Sequence, residues 1–162
     1  MARSTAKTPR PDIRLRPARP GEEAALSALC LRSKAYWGYD AAFMDAVAPY
    51  LRVTGDAIRE GHATVAESAD GVVLGVCQID PAGHGGALDL LFIEPEAIGT
   101  GAGRALFEHA KAQLKALGLP VMTILSDPYA EAAYLHMGAR RVEMRASDVF
   151  KGRELPWLEV TL

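Results

Sequence analysis

The sequence predicts a single domain of mixed α/β (α+β) class, in which helices flank one mixed sheet. The chain has 162 residues, the length of one ordinary domain. Hydrophobic residues make up 49% of it and charged residues 23%, as in a globular protein with a full core. Strand patterns are grouped in the first half, and strands alternate with helices in the second half, in the order β-α-α-β-β-β-α-β-α-β-β. From this order we expect a mixed sheet.

Short apolar runs between prolines and glycines predict the elements of the first half. Alternating apolar and basic residues over Ile13–Arg16 predict a strand. A helix follows, with an apolar stripe made of Leu26, Cys30, Ser33 and Trp37. Asp40 is a candidate N-cap for a second helix over Ala41–Val47. Strand patterns then occur at residues 62–68, 72–80 and 87–93, and Gly71 suits a hairpin turn between the first two.

The second half alternates helices with short strands. We expect a helix to begin near Gly103 and to end near Gly118, with a stripe made of Phe107, Ala110, Leu114 and Leu117. Residues 121–125 predict a strand, and the Asp-Pro pair at Asp127 predicts the cap of another helix, which Gly138 ends. One face of that helix consists of Ala130, Ala133, Tyr134 and Met137. Two further short strands are predicted near residues 141–144 and 157–160.

The net charge of −2 hides an uneven distribution of charge along the chain. Residues 1–19 carry six basic residues and one acidic residue, and residues 20–162 carry twelve and nineteen. An acidic body offers no basic face for nucleic acid, so we expect no nucleic-acid partner. We expect residues 1–11 to be a disordered leader and residues 12–162 to form the single domain.

The sequence shows no sign of a metal-binding, membrane or secreted protein. Cys30 and Cys77 lie far apart and the four histidines are scattered, so we expect no metal site and two buried thiols. No apolar run approaches the ~18 residues of a membrane span, and no signal peptide is evident. We therefore expect a cytoplasmic protein without a membrane partner.

A glycine-rich run joins the third strand of the first half to the next helix. It consists of Ile98, Gly99, Thr100, Gly101, Ala102, Gly103 and Arg104. Alternate glycines let backbone N–H groups point at one ligand, and a helix N-terminus attracts anions. A phosphate site is the favoured interpretation and a flexible turn the alternative. The spacing fits neither the Walker P-loop nor the dinucleotide fingerprint.

Two motifs in this order resemble the GNAT superfamily of N-acetyltransferases, over about Ile13–Leu162. The first is the glycine run preceded by a strand and Pro95, with Ile98 where the family usually has Gln or Arg. The second is the stretch DPYAEAAYLHMGA at residues 127–139, with Asp127 in place of the usual Asn. The stretches 33–40 and 152–156 resemble a bacterial subgroup of this superfamily whose substrates are unassigned.

The resemblance implies a fold and a cofactor. The fold would be a twisted, mostly antiparallel mixed sheet with about four flanking helices, split between the fourth and fifth strands. Acetyl-CoA would lie in that split, its pantetheine arm paired with backbone near Phe92 and Ile93. Its pyrophosphate would rest on the run Ile98–Arg104, and Asp127 is a further candidate contact. A homodimer is compatible with the resemblance, since the family often forms dimers.

Five side chains are candidates for chemistry. Tyr134 occupies the general-acid position of the family, although a helix-face tyrosine also suits core packing. Asp89 lies in an apolar strand, and strict alternation would put it on the same face as Leu91 and Ile93. Burial there would raise the pKa of its carboxyl group, so that Asp89 could act as a base. The alternative is a carboxylate at the strand edge that pairs with a Lys or Arg. Trp37 and Tyr39 could bind the ammonium group of an acceptor through cation–π contacts, and Asp40 could bind it through its charge. The alternative is that the two aromatic residues pack in the core and Asp40 caps a helix.

These observations predict an acetyl-CoA-dependent N-acetyltransferase. Its acceptor would be the primary amine of a small molecule or peptide, attacking directly in a ternary complex. One alternative is a non-catalytic acyl-CoA-binding module, favoured by Ile98 at a usually polar position. Another is half of a nucleotide-binding domain, which would prefer NAD or ATP to coenzyme A.

Overall fold

The computed structural model describes residues 12–162, so the leader expected at residues 1–11 lies outside the described part of the chain. Its sheet has seven strands in the order β1-β2-β3-β4-β5-β7-β6. The strands are β1 Ile13–Pro17, β2 Ala63–Ser68, β3 Val73–Asp80, β4 Ala87–Ile93, β5 Val121–Leu125, β6 Arg140–Ala146 and β7 Glu154–Thr161. The helices are α1 Glu23–Ala35, α2 Ala41–Val47, α3 Gly55–Arg59, α4 Ala102–Ala116 and α5 Glu131–His136.

Helices cover both faces of the sheet, as the element order predicted. One core cluster lies beneath α4 and α5, and its largest buried members include Leu106, Phe107, Leu114, Met122 and Leu158. The other lies beneath α1 and α3 and includes Leu26, Leu29, Cys30, Val65 and Ile58. Both thiols are buried and free, and burial raises the pKa of each to about 12. None of the helices within residues 12–162 is long and apolar enough to cross a membrane.

The sheet is antiparallel except where β4 meets β5, and there it divides. The two strands pair only between Ala87 and Thr123, where the Thr123 N–H donates to the Gly86 carbonyl (2.9 Å). Past that point the strands separate, which confirms the predicted split between the fourth and fifth strands. The Glu94 N–H donates to the Leu74 carbonyl on β3, so strand alternation turns the backbone groups of Ile93 toward the split.

The structure differs from the sequence predictions in three places. Helix α3 was not predicted, because it has only five residues and starts at a glycine; its signal is Thr54, whose side chain accepts a hydrogen bond from the Ala57 N–H (3.1 Å). The predicted stripes include Trp37 and Leu117, but these residues are 41% and 58% exposed, since each lies beyond the last residue of its helix. Strands β6 and β7 are longer than predicted, because their outer residues alternate poorly in polarity.

Candidate active site

Two cavities meet at the split between β4 and β5. Cavity A, of about 290 Å³, extends from β4 to the segment between β6 and β7 and includes Asp89 and Arg153 in its lining. Cavity B, of about 260 Å³, lies beside the glycine run and includes Ile93, Ile98 and Gly103. Both cavities are lined by Lys34, Leu91, Phe92, Asp127, Ala130 and Tyr134. Two ligands could therefore occupy separate spaces and meet at one shared wall.

Asp89 lies in cavity A because of a β-bulge. Gln78 of β3 is opposite Leu90, but the next residue of β3 is opposite Leu88, so Asp89 is the extra residue of β4. The Gln78 side-chain amide donates to Asp89 Oδ2 (2.9 Å), and its oxygen accepts from the Thr54 N–H (3.2 Å). The carboxylate is thereby fixed in orientation while it stays accessible from the cavity.

The bulge corrects one sequence expectation about Asp89. Regular alternation would put Asp89 on one face with Leu91 and Ile93, and this is wrong. Leu88 and Leu91 pack in the cluster under α4, whereas Leu90 packs in the cluster under α1, so the alternation changes at the bulge. The expected direction of the pKa holds: loss of hydration in the cleft and the nearby Asp80 charge raise the pKa of Asp89, and the Gln78 hydrogen bond opposes them.

A charged cluster of Lys34, Tyr39, Asp127 and Arg153 lies where the two cavities meet. Lys34, only 9% exposed, forms an ion pair with Asp127. The Tyr39 hydroxyl donates to Asp127 Oδ2 (2.8 Å) and accepts from Arg153 Nη2 (2.9 Å), which is itself 3.9 Å from Asp127 Oδ2. Burial acts to raise the pKa of Asp127, but the Lys34 ammonium outweighs it and holds that pKa below its usual value. Burial and the hydrogen bond to Asp127 raise the pKa of Tyr39 to about 12.

Asp127 does not cap α5, contrary to the sequence expectation. That helix begins at Glu131, four residues later, and no side chain caps it. Asp127 Oδ1 accepts instead from the Tyr129 N–H (2.8 Å), because the intervening residues form a separate turn before the helix. Both carboxylate oxygens therefore have protein donors. Asp127 still lines both cavities.

Stacked aromatic rings join the turn after α1 to the segment between β6 and β7. Tyr39 stacks on Phe43 at 3.9 Å and Phe43 on Phe150 at 4.6 Å between ring centroids. The Arg153 guanidinium lies 4.8 Å from the Phe43 ring centre, a cation–π distance. These contacts hold Arg153 at the edge of cavity A, where Phe150 also forms part of the lining.

The predicted acceptor-binding trio is divided in the structure. Tyr39 belongs to the charged cluster, but Trp37 stacks on Tyr129 at 5.3 Å and lines cavity B rather than cavity A. Asp40 accepts a hydrogen bond from the Phe43 N–H (2.8 Å) and caps α2, as its alternative interpretation predicted. It lines neither cavity.

The glycine run presents free backbone donors at the start of α4. Gly99 and Gly101 have φ of 85° and 95°, a conformation that favours glycine. Within residues 12–162 the N–H groups of Gly103 and Arg104 have no backbone acceptor, as expected for the first turn of a helix. The Thr100 hydroxyl donates to the Ala97 carbonyl (2.6 Å), which fixes the loop from inside.

Tyr134 is the buried residue at the junction of the cavities. Its side chain is 8% exposed, and its ring lies 6.1 Å from that of Phe107 in the core beneath α4. In the part of the chain that the structure describes, no protein group accepts a hydrogen bond from its hydroxyl. Burial raises the pKa of Tyr134 above its usual value, so the phenol keeps its proton at neutral pH. Core packing and contact with both cavities thus coexist at this residue.

Comparison with known families identifies the fold and the site together. The family model described as an acetyltransferase (GNAT) domain matches residues 25–152. The chain belongs to the GNAT acetyltransferases. Members of this family use acetyl-CoA as acetyl donor. A search of curated proteins finds no match.

Solved structures show the same GNAT fold. A GCN5-related N-acetyltransferase from Rhodopseudomonas palustris is 18% identical, with a TM-score of 0.72, over 94% of this chain and 96% of that one. The PaiA N-acetyltransferase of Thermoplasma acidophilum in complex with coenzyme A is 14% identical, with a TM-score of 0.75 and coverage of 93% and 99%. Apo-form YjaB of Escherichia coli is 24% identical, with a TM-score of 0.67 and coverage of 93% and 97%. At these identities the likeness concerns the fold.

The residues at the split of this GNAT protein fit coenzyme A. The unpaired backbone edge of β4 suits an extended amide-containing chain such as pantetheine. The free N–H groups at the start of α4 suit a pyrophosphate, and the exposed Arg104 adds positive charge next to them. Cavity B is largely apolar and leads to Tyr134.

Sequence reasoning missed several residues of this GNAT site. Lys34 carried a usable signal, because it continues the stripe of Leu26 and Cys30 at intervals of four and is thus a charged residue on a buried face. Arg153 had no local signal beyond the resemblance of its stretch to a subgroup. The remaining missed residues are Phe43, Gln78 and Phe150, which only the tertiary structure brings to the site.

Proposed function

We propose that this GNAT protein transfers the acetyl group of acetyl-CoA to the primary amine of a small molecule or peptide by direct attack, with both substrates bound. The observation that carries the proposal is the pair of cavities that share a wall at Tyr134. Cavity B would hold the donor and cavity A the acceptor. Acetyl-CoA supplies an acetyl group activated as a thioester.

Asp89 is proposed as the general base. An amine must lose its proton before it attacks, and a carboxylate with a raised pKa accepts protons near neutral pH better than an ordinary one. Support comes from its place in cavity A alone, its raised pKa and the fixed orientation that Gln78 provides. A water between Asp89 and the amine would carry the proton where direct contact is too long.

Tyr134 is proposed as the general acid. Its hydroxyl holds a proton at neutral pH and would give it to the departing sulfur, because the ordinary pKa of a phenol lies near that of an aliphatic thiol. The burial that raises the pKa of Tyr134 would raise the proton affinity of a thiolate beside it in the same direction. The hydroxyl has no protein acceptor within residues 12–162, so no internal hydrogen bond must break before it donates. The apolar surroundings strengthen the interaction of a proton donor with developing negative charge.

A non-catalytic acyl-CoA-binding module is the second candidate. It is favoured by one observation: Ile98 is 48% exposed at the position where the family usually offers a polar side chain to the phosphates. In that case the protein would bind acyl-CoA but would not catalyse acetyl transfer.

Calorimetry with acetyl-CoA and a thiol-release assay over a panel of amines distinguish the two candidates. The panel spans amino acids, polyamines, aminoglycosides and peptide N-termini. We expect both binding and acceptor-dependent release of thiol, with acetylated amine as the second product. Binding without release for every acceptor would favour the module, and a preference for NAD or ATP over coenzyme A would exclude both.

Three further expectations remain part of the proposal. An acidic body argues against nucleic acid as a partner. We also expect a cytoplasmic location. We also expect a homodimer, because dimers are common in this family. Sedimentation velocity at several concentrations measures the assembly directly.

A further inference from the structure

Among the charged residues that line cavity A, Asp89 and Arg153 have opposite charges and lie on different walls. Asp89 projects from the bulge of β4, and Arg153 belongs to the segment just before β7. No ion pair joins these two side chains within residues 12–162, so each keeps its charge available to a ligand. A ligand with both a positive and a negative group would match this arrangement better than a simple amine.

Arg153 has unused hydrogen-bonding capacity. A guanidinium has five N–H donors. Within the described residues, one of them donates to the Tyr39 hydroxyl, and Asp127 lies only at 3.9 Å. The side chain is 23% exposed and held by the Phe43 ring. A fixed guanidinium with free donors is the preferred partner of a carboxylate, which it binds through two parallel hydrogen bonds.

The charged cluster as a whole has a surplus of positive charge. Lys34 and Arg153 carry two positive charges, Asp127 carries one negative charge, and the raised pKa of Tyr39 keeps its phenol neutral. Asp127 is also paired more closely with Lys34 than with Arg153. The uncompensated positive charge therefore lies on the cavity A side, since Arg153 lines cavity A alone.

The geometry points to an acceptor that is a small aminocarboxylate, with its ammonium group at Asp89 and its carboxylate on Arg153. This inference rests on the proposed function and names the substrate class of that site. The rest of the lining is mostly apolar, so a ligand with an apolar side chain is favoured; it includes Val47, Leu51, Leu90, Val149 and Leu155. Asp148, also in the lining, is a further exposed carboxylate of cavity A, but within residues 12–162 no side chain fixes its orientation as Gln78 fixes that of Asp89.

Matched acceptors test this substrate class. Leucine, phenylalanine and γ-aminobutyrate are each compared with the corresponding amide and with the amine that lacks the carboxyl group. Acetyl transfer gives kcat/KM for each, and calorimetry with the coenzyme A complex gives each acceptor affinity without chemistry. For at least one of the three sets we expect the carboxylate-bearing member to be favoured by about tenfold or more, as a charge-assisted bidentate contact implies.

Arg153→Gln separates recognition of the carboxylate from folding. We expect this variant to lose the preference for the carboxylate while its affinity for acetyl-CoA stays within about twofold of the original protein. Arg140→Gln is the matched control, because Arg140 pairs with Glu159 on the surface and lines neither cavity. Arg153→Lys keeps the charge but not the planar fork, so it should recover only part of the preference.

Two outcomes would overturn the inference. Equal or better use of the amides and simple amines would reject a carboxylate site while leaving the acetyltransferase proposal standing. Binding of acetyl-CoA without binding of any aminocarboxylate would reject it as well. A protein that neither binds acetyl-CoA nor releases thiol would instead contradict the proposed function itself.

Discussion

Removal of Asp127 should destabilise the protein more than removal of its partner Lys34. The Asp127 carboxylate accepts from Lys34, from the Tyr39 hydroxyl and from the Tyr129 N–H. Asp127→Ala leaves the Lys34 ammonium buried without a counter-charge, which costs about 3–5 kcal/mol of unfolding free energy by analogy with broken buried ion pairs. Both side chains of the pair are only 11% and 12% exposed, so solvent offers little compensation.

The reverse change should cost less because Asp127 keeps its other partners. In Lys34→Met the carboxylate still accepts two hydrogen bonds and still has Arg153 at 3.9 Å. The loss is then that of one charge-assisted hydrogen bond, about 1.5–3 kcal/mol. The double variant with Met at position 34 and Leu at position 127 replaces the ion pair by apolar contact, so it should be more stable than Asp127→Ala alone.

Urea denaturation of the three variants measures these free energies, and pH supplies a second check. The pKa of Asp127 is lower in the folded protein than in the unfolded chain. Its stabilising contribution is therefore complete above the unfolded pKa, near 3.9 for a free aspartate, and is lost as the pH falls through the folded value. The difference between the original protein and Asp127→Ala should shrink in that acidic range. Equal losses for the two single variants, or a loss below about 1 kcal/mol for Asp127→Ala, would refute the reasoning.

The remaining predictions concern the base and the phosphate cradle. Asp89→Asn should lower kcat/KM by about 10²–10⁴-fold. We expect the rate of the original protein to fall as acid protonates the raised-pKa carboxylate of Asp89, and this fall should be absent in the variant; an unchanged acid limb would exclude Asp89 as the base. Gly101→Val should weaken acetyl-CoA binding by at least about tenfold, because φ of 95° strains a β-branched residue and the loop must move. Gly71→Val, at φ of 79° in the β2–β3 hairpin away from both cavities, is the control for strain alone, and equal affinities of the two variants would contradict the cradle.

Local patterns predicted most of the fold. The strand β1, the turn at Gly71 and the stripe of Phe107, Ala110 and Leu114 on α4 each arise from neighbours in the chain, and the structure confirms them. The alternation that predicted β1 does not hold in its burial, because Leu15 is 36% exposed while Arg16 is half-buried. The bulge at Asp89 escaped prediction because an extra residue on one strand becomes visible only when its partner strand is known. It changed the face on which Asp89 lies.

The candidate site was predicted unevenly for the same reason. The glycine run could be singled out by its spacing, and Tyr134 by the resemblance of its motif to the GNAT family. The charged cluster joins α1, the turn after it, the β5–α5 loop and the segment before β7, which are separated by up to 119 positions from Lys34 to Arg153. Such contacts follow from the strand order and not from any local pattern. They determine how the two cavities meet.

The Tyr134→Phe variant tests most directly whether acetyl transfer takes place at the junction of the two cavities. Its kcat and its affinity for acetyl-CoA are both measured and compared with those of the original protein. The change removes one oxygen that has no protein acceptor within residues 12–162, so no protein hydrogen bond is lost and stability should change by less than about 1 kcal/mol. With an amine that the original protein acetylates, we predict that kcat falls by about 10²–10⁴-fold while the dissociation constant for acetyl-CoA is unchanged. An unchanged kcat would contradict the account, because the proton would then come from elsewhere.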